Sequence, residues 1–190
     1  MLTACSHKAG FVDLQSFDSR IVCDIRYATE NNITGKKLYD SPRCFLLRST
    51  AEKLKRVQDE LEKKGLGIKV YDAYRPPHVQ DVLWAYLPDA DYMAPPEEGS
   101  SHSRGAAVDV TLVTKEGKEL DMGTAFDDLR EESRSDNYAL PYEVLSNRIL
   151  LKTVMKKHGF IPSKTEWWHF YDKDWKSLPV VDLPVKQIKK

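Results

Sequence analysis

Apolar positions along the chain fall into short runs of two periods, and those runs outline the secondary structure. Arg20-Ile21-Val22-Cys23-Asp24-Ile25-Arg26-Tyr27 is rich in β-formers with partial alternation and predicts a strand. The residues before it, to about Phe17, read as an irregular lead-in. Asn31-Asn32-Ile33-Thr34-Gly35-Lys36 is turn-rich and predicts a loop, with a further short strand over Pro42 to Leu47. From Ser49 the period changes: Ala51, Leu54, Val57 and Leu61 recur at helical spacing. Ser49 and Glu52 have the spacing of a capping box, and Gly65 stands where a helix end favours a left-handed residue. The lysines and glutamates between them form a solvated face. Ile68 to Tyr74 alternates as a strand and delivers Arg75, a position suited to facing a cleft. Pro76-Pro77 then opens a helix to about Tyr86, since proline is tolerated in a first turn. After a polar loop over Pro88 to Gly99, Ala107 to Val113 predicts a strand and Gly117 a hairpin turn. Met122 to Asn137 reads as loop with at most a short helical turn. Leu145, Ile149, Leu150 and Val154 mark a helix over Glu143 to Lys157, ended by His158-Gly159, and the aromatic run Glu166 to Tyr171 predicts a strand. Short strands interleaved irregularly with two long helices predict an α+β fold.

Length and composition narrow this to one domain, with residues 1–19 as lead-in and 20–190 as the folded unit. A chain of 190 residues, 41% hydrophobic and 31% charged, can bury a substantial core. Lys plus Arg equals Asp plus Glu at 29 each, so no nucleic-acid or anionic-membrane partner is indicated. No apolar run approaches the roughly 18 residues of a membrane span. Leu2-Thr3-Ala4-Cys5 matches a lipoprotein cleavage box, but no basic and apolar signal segments precede it. Either the sequence starts partway through a signal peptide, with a lipid anchor on Cys5 and the domain facing the cell envelope, or the match is accidental and the protein starts at Met1 in the cytoplasm. Cys23 and Cys44 make no disulfide framework and no Cys-x-x-Cys site, and they read as small buried hydrophobes. A bridge between them requires export.

The candidate chemistry lies in two segments. Ser100 to Asp109 places His102 and Asp109 seven positions apart, and Gly105, Ala106 and Ala107 leave room for the loop between them to double back. Glu166-Trp167-Trp168-His169 adds a second histidine with a carboxylate three residues before it. Two histidines and one aspartate suit a catalytic zinc ion, which usually takes three protein ligands and leaves one position open. Glu166 would then be free to act as a base. The bland alternative stands beside this one: with five histidines in the chain, such a set can be assembled by chance. His7, His78 and His158 read as surface or capping residues, Trp167 and Trp168 as core aromatics, and no His-Glu-x-x-His helix is present.

Taken together, these motifs resemble the zinc D-alanyl-D-alanine metallopeptidase family. Its pattern Ser-x-His-x-x-Gly-x-Ala-x-Asp is matched by Ser100, His102, Gly105, Ala107 and Asp109, and its Glu-x-x-His by Glu166 and His169. Within it the chain is most similar to the vancomycin-resistance type of D-Ala-D-Ala dipeptidase. Further matches are Asp24 to Thr29 with Asn32 to Gly35, Tyr71 to Pro76, Met122-Gly123-Thr124 with Phe126-Asp127, and Glu166 to Phe170. The resemblance runs from about residue 20 to 175. It implies a small, mainly antiparallel sheet with flanking helices, of the hedgehog and D-Ala-D-Ala metallopeptidase kind. It implies one zinc ion per chain on His102, Asp109 and His169, with Glu166 as general base and acid. It further implies hydrolysis of D-Ala-D-Ala to free D-alanine by a metal-activated water, with Arg75 stabilising the oxyanion. An acidic residue is expected to grip the substrate's ammonium group. Asp127 fits that position best, though the adjacent Asp128 leaves the register open, and Ser101 and Tyr27 are further candidates for substrate contact. A carboxypeptidase acting on longer peptidoglycan peptides is the alternative enzyme, and a zinc-stabilised binding module the alternative class. Antibiotic resistance, wall recycling and nutrient use would all suit the same chemistry.

Overall fold

A computed structural model describes residues 10–188. Cys5 and His7, and with them the lipid-anchor reading, lie outside the described residues. The elements in order are β1 (Phe11–Asp13), α1 (Leu14–Phe17), β2 (Val22–Cys23), β3 (Phe45–Leu47), α2 (Arg48–Glu62), β4 (Leu66–Asp72) and α3 (Pro77–Tyr86). They continue with β5 (Ala107–Thr114), α4 (Tyr142–Lys157), β6 (Phe160–Pro162) and β7 (His169–Asp172). The fold is α+β, as the pattern predicts.

The main sheet runs β2-β4-β5-β7-β6, with β2 parallel to β4 and every other pair antiparallel. β1 and β3 form a separate antiparallel pair. α2 turns Ala51, Leu54, Val57 and Leu61 inward, and all four are fully buried against the sheet. Each leucine so buried contributes roughly 1.5–3 kcal/mol. Gln58, on the same buried face, accepts from the Ile68 N–H at 2.9 Å and ties the helix to β4. α4 packs beside α2 and against β5 and β6. Asp172 at the end of β7 receives Thr50 Oγ1 at 3.1 Å and Lys53 Nζ at 2.5 Å, so its side chain lies on the helix-covered face. Because strand side chains alternate, His169 and Tyr171 project from the opposite face.

Several sequence expectations change. The strand expected over Arg20 to Tyr27 is only Val22–Cys23, since Arg26–Ala28 turns into a 3-10 helix that buries Tyr27. The lead-in is not irregular over Phe11 to Phe17: β1 pairs with β3, and α1 buries Leu14 completely. The Ser49–Glu52 capping box does not form. β3 runs straight into α2, which starts at Arg48 with no side-chain cap, so Ser49 already lies in the first turn. The last predicted strand begins at His169, leaving Glu166 in the turn before it. Among the described residues no helix is long and apolar enough to cross a membrane.

Candidate metal centre

β5 and β7 lie side by side with Asp109 directly opposite His169, so the sheet register alone brings two donors together. His102 arrives from a 3-10 turn (His102–Arg104) just before β5. That turn closes at Gly105 with φ 64°, where a Cβ would stand 2.6 Å from the Phe11 ring. Only glycine fits there, both for backbone and for space.

The three donor atoms form a tight triangle. His102 Nε2 lies 3.1 Å from His169 Nδ1 and 3.4 Å from Asp109 Oδ1, and His169 Nδ1 lies 2.9 Å from the same oxygen. Ligands about 2.0–2.1 Å from a tetrahedral zinc ion are about 3.3 Å apart, close to these edges. Proton positions point the same way. His102 Nδ1 donates to the Ala73 carbonyl at 2.6 Å, so in the neutral ring Nε2 carries a lone pair. That lone pair faces a carboxylate oxygen that can only accept, and a cation between them relieves the repulsion. Burial opposes charge on Asp109, but His102 and His169, when protonated, hold its carboxyl far below the usual range, and a bound cation would take over that role. The donor set fits a metal ion, and among the described residues no other cluster of His, Cys, Asp and Glu meets the same spacing.

The other predicted site residues share a cleft of about 780 Å³ with these donors: Glu166, Arg75, Asp127, Ser101 and Tyr27 all line it. Glu166 is 9% exposed, and its carboxylate makes no hydrogen bond or ion pair among the described residues. Burial, with Asp109 and Asp127 nearby, pushes its carboxyl well above the usual range. A group so placed takes a proton readily and can give it back.

Arg75 lies beyond the end of β4, beside a register shift between Val70 and Asp72 that turns the strand end toward the site. Its Nε and Nη2 donate to Asp72 Oδ2 at 3.0 and 2.8 Å, and Nη1 donates to Gln80 Oε1 at 3.0 Å. Nη2 also comes within 3.7 Å of Asp109 Oδ2. Burial works against the guanidinium, but Asp72 and its neighbours keep it charged. Asp72, fully buried, also accepts from the Tyr39 hydroxyl at 2.6 Å. These supports were not singled out in the sequence. The visible signal was a carboxylate three residues before Arg75 and a glutamine on the buried face of α3.

Asp127 is the one non-glycine residue with positive φ among those described, at 63°. Its Oδ1 accepts from the Tyr27 hydroxyl at 3.2 Å and its Oδ2 from the Ile33 N–H at 3.0 Å. Burial pushes its carboxyl up to about 7, against the pull of those two donors. Asp128 points elsewhere, into a bidentate pair with Arg130. Tyr27 is 1% exposed, its hydroxyl is committed to Asp127, and its ring lies 5.1 Å beneath the Arg75 guanidinium. Its place is beneath the site's charged groups. Ser101 is buried, and its carbonyl accepts from the Arg104 and Ala106 N–H groups. His78 is exposed, His158 caps α4 and pairs with Glu60, and Trp167 and Trp168 are core residues.

Residues 7–186 match the model of a family described as D-ala-D-ala dipeptidase. A D-alanyl-D-alanine dipeptidase of Escherichia coli (strain K12) is 38% identical over 159 residues, covering 84% of this chain and 82% of that one. One from Enterococcus faecium is 31% identical, covering 93% of this chain and 98% of that one. A third, from Enterococcus faecalis, is 30% identical over 85% and 90% of the two chains.

Proposed function

The chain belongs to the D-Ala-D-Ala dipeptidase family, and from that premise we propose that it hydrolyses free D-Ala-D-Ala to D-alanine with one zinc ion on His102, Asp109 and His169. The observation that carries this reading is the convergence of the three donors with Glu166 and Arg75 in one cleft that Asp127 also lines. When bound, zinc supplies Lewis acidity and makes water acidic near neutral pH. The chain's own residues do the rest. Glu166, unpaired and buried, takes a proton from the attacking water and hands it to the leaving amino group. Arg75 holds a fixed positive charge beside the site, where the scissile carbonyl oxygen becomes negative. Asp72 and Gln80 hold that guanidinium in place before substrate enters, so no reorganisation is needed. Asp127, supported by Tyr27 and Ile33, receives the substrate's free ammonium group.

A half-buried carboxylate in the cleft wall, Asp127, favours substrates with a free amino terminus over N-blocked peptides. Comparing D-Ala-D-Ala with N-acetyl-D-Ala-D-Ala tests this directly. Cleavage of the free dipeptide alone is the expected result, and preference for the acylated one would make the protein a carboxypeptidase instead. The metal is tested by elemental analysis of the purified protein, where about one zinc per chain is expected and a different or absent metal would overturn that part.

A further inference from the structure

Residues 87–99 join α3 to the approach to His102, and 90–95 with Glu98 form part of the cleft wall. The segment is built from two tight turns. The Tyr92 and Met93 N–H groups donate to the Asp89 carbonyl, and those of Glu98 and Gly99 to the Pro95 carbonyl. Past the end of α3, its backbone hydrogen bonds among the described residues are all internal, so no strand or helix holds it in place. Backbone of that kind depends on side chains for its position. Met93 is buried in the core, and three side chains from other segments donate to carbonyls of the loop. Thr165 Oγ1 reaches Asp91 at 2.9 Å, Gln80 Nε2 reaches Ala94 at 2.9 Å, and Arg104 Nη2 reaches Glu98 at 3.1 Å.

Two of these three donors also bear on the reaction groups. Gln80 is 2% exposed and commits both ends of its amide: Oε1 accepts from Arg75 Nη1 at 3.0 Å while Nε2 holds Ala94. Shifting that amide disturbs both bonds at once, so the guanidinium and the loop are joined through one side chain. Thr165 directly precedes Glu166, and its hydroxyl ties that turn to the same loop. The Glu166 carboxylate is not itself anchored, so the backbone around it sets where it stands. That backbone is held by the Thr165 bond on one side and by the Ser135 hydroxyl, which donates to the Glu166 carbonyl at 3.0 Å. Gln80 and Thr165 share no hydrogen-bond partner, and the loop is what connects them.

We propose that residues 87–99 act as one strap that positions both working groups, Arg75 through Gln80 and Glu166 through Thr165. Gln80 and Thr165 are thus positioning residues, acting on turnover through Arg75 and Glu166. Because the strap also walls the cleft, oxyanion stabiliser and base take up their places together. The inference rests on the dipeptidase reading for the roles of Arg75 and Glu166, while the linkage between them does not.

The test compares the metal-loaded full chain with Gln80→Met, Thr165→Val and the double variant. It measures kcat and KM for D-Ala-D-Ala, and amide hydrogen exchange over residues 89–99. Misplacing a reacting group by about 1 Å costs on the order of 10²-fold. Each single variant should therefore lower kcat about tenfold, with KM changed by less than about threefold. Thr165→Ser, which keeps the hydroxyl, should restore most of the parent's kcat. Independent sites multiply their losses, here to about a hundredfold, whereas groups that act as a unit do not. The double variant should thus fall no more than about threefold below the worse single one. Exchange should quicken across the whole of 89–99 in either single variant, with metal content unchanged. Losses that multiply, an unchanged kcat in either single variant, or exchange that quickens only beside the substituted contact would overturn the strap. A thermal melt checks folding. If Gln80→Met does not fold, Gln80→Glu decides, since it keeps the acceptor for Arg75 and loses the donor to Ala94. Failure of the parent to cleave D-Ala-D-Ala would overturn the dipeptidase reading, and the exchange pattern would then decide the linkage by itself.

Discussion

Asp72 grips Arg75 through two nitrogens and Gln80 takes a third, so the guanidinium reaches the cleft in one fixed orientation. A preorganised donor of this kind is typically worth 10²–10³ in turnover. Arg75→Ala is therefore expected to lose about that factor in kcat while keeping its metal by elemental analysis; near-normal turnover would remove Arg75 from the oxyanion role. Glu166→Ala should likewise retain metal yet be almost inert, and a metal-free variant would instead make Glu166 a ligand. Asp127 carries a pH prediction. Its carboxyl, lifted to about 7 by burial, must be ionised to bind an ammonium group. Hence kcat/KM should rise with pH until that carboxyl ionises, and a bound dication nearby places the rise no higher than this value. Asp127→Asn should raise KM and leave only the rise that belongs to Glu166, whose carboxyl burial also lifts. At this scale the sequence was informative about donors and less so about their neighbours. His102, Asp109, His169 and Glu166 were legible as residue types at a set spacing. The choice between Asp127 and Asp128 was not, because it turns on the left-handed backbone at Asp127, which sends adjacent carboxylates to different places.

The elements with a long period were readable from their apolar spacing. α2, α4, β4 and β5 fall within two residues of the ranges their patterns predict. β1, α1 and β6 were missed because three or four residues are too few to show a period. The expected strand over Arg20 to Tyr27 ends early because Tyr27 is drawn inward to Asp127, a contact across 100 positions that local propensity does not encode. Two joints between elements can be tested. Gly105→Ala forces a left-handed alanine against Phe11 and should cost roughly 1–2 kcal/mol or more by thermal melt; no loss would mean the turn relaxes freely. Arg20 links Asp18, beside α1, to Asp59 and Glu62 on α2. Hydrogen bonds from Arg20 hold the Asp18 and Asp59 carboxyls below their ordinary values. Groups with depressed folded pKa values stabilise the protein above their unfolded pKa, and that stability is lost as pH falls through the folded values. Arg20→Ala should thus cost about 1 kcal/mol near pH 7, a modest figure because the pairs are partly solvated. The difference from the parent should shrink as pH falls through those depressed folded values, and a pH-independent difference would show that the charges are not responsible.

Over the whole molecule, one sheet does two jobs. Its helix-covered face buries the core, and its other face presents Asp109 and His169 in register with Tyr171 and Ile161 beyond them. The α+β class followed from the order of patterns along the chain, whereas the register that sets Asp109 opposite His169 depends on pairing between distant strands and could not be read locally. Because a carboxylate and two histidines converge with little else to separate them, the metal should stabilise the fold. Ligand at about a thousandfold over Kd adds about 4 kcal/mol, or a Tm rise on the order of 10 °C for a domain this size. A melt unchanged by chelation and reconstitution would mean the donors do not bind metal tightly. The most direct test of the account is D-alanine release from D-Ala-D-Ala by the metal-loaded protein, before and after chelation and beside N-acetyl-D-Ala-D-Ala. Release is expected from the free dipeptide only, abolished by the chelator and restored by zinc. Release that persists without metal, or that occurs only from the acylated substrate, would contradict it.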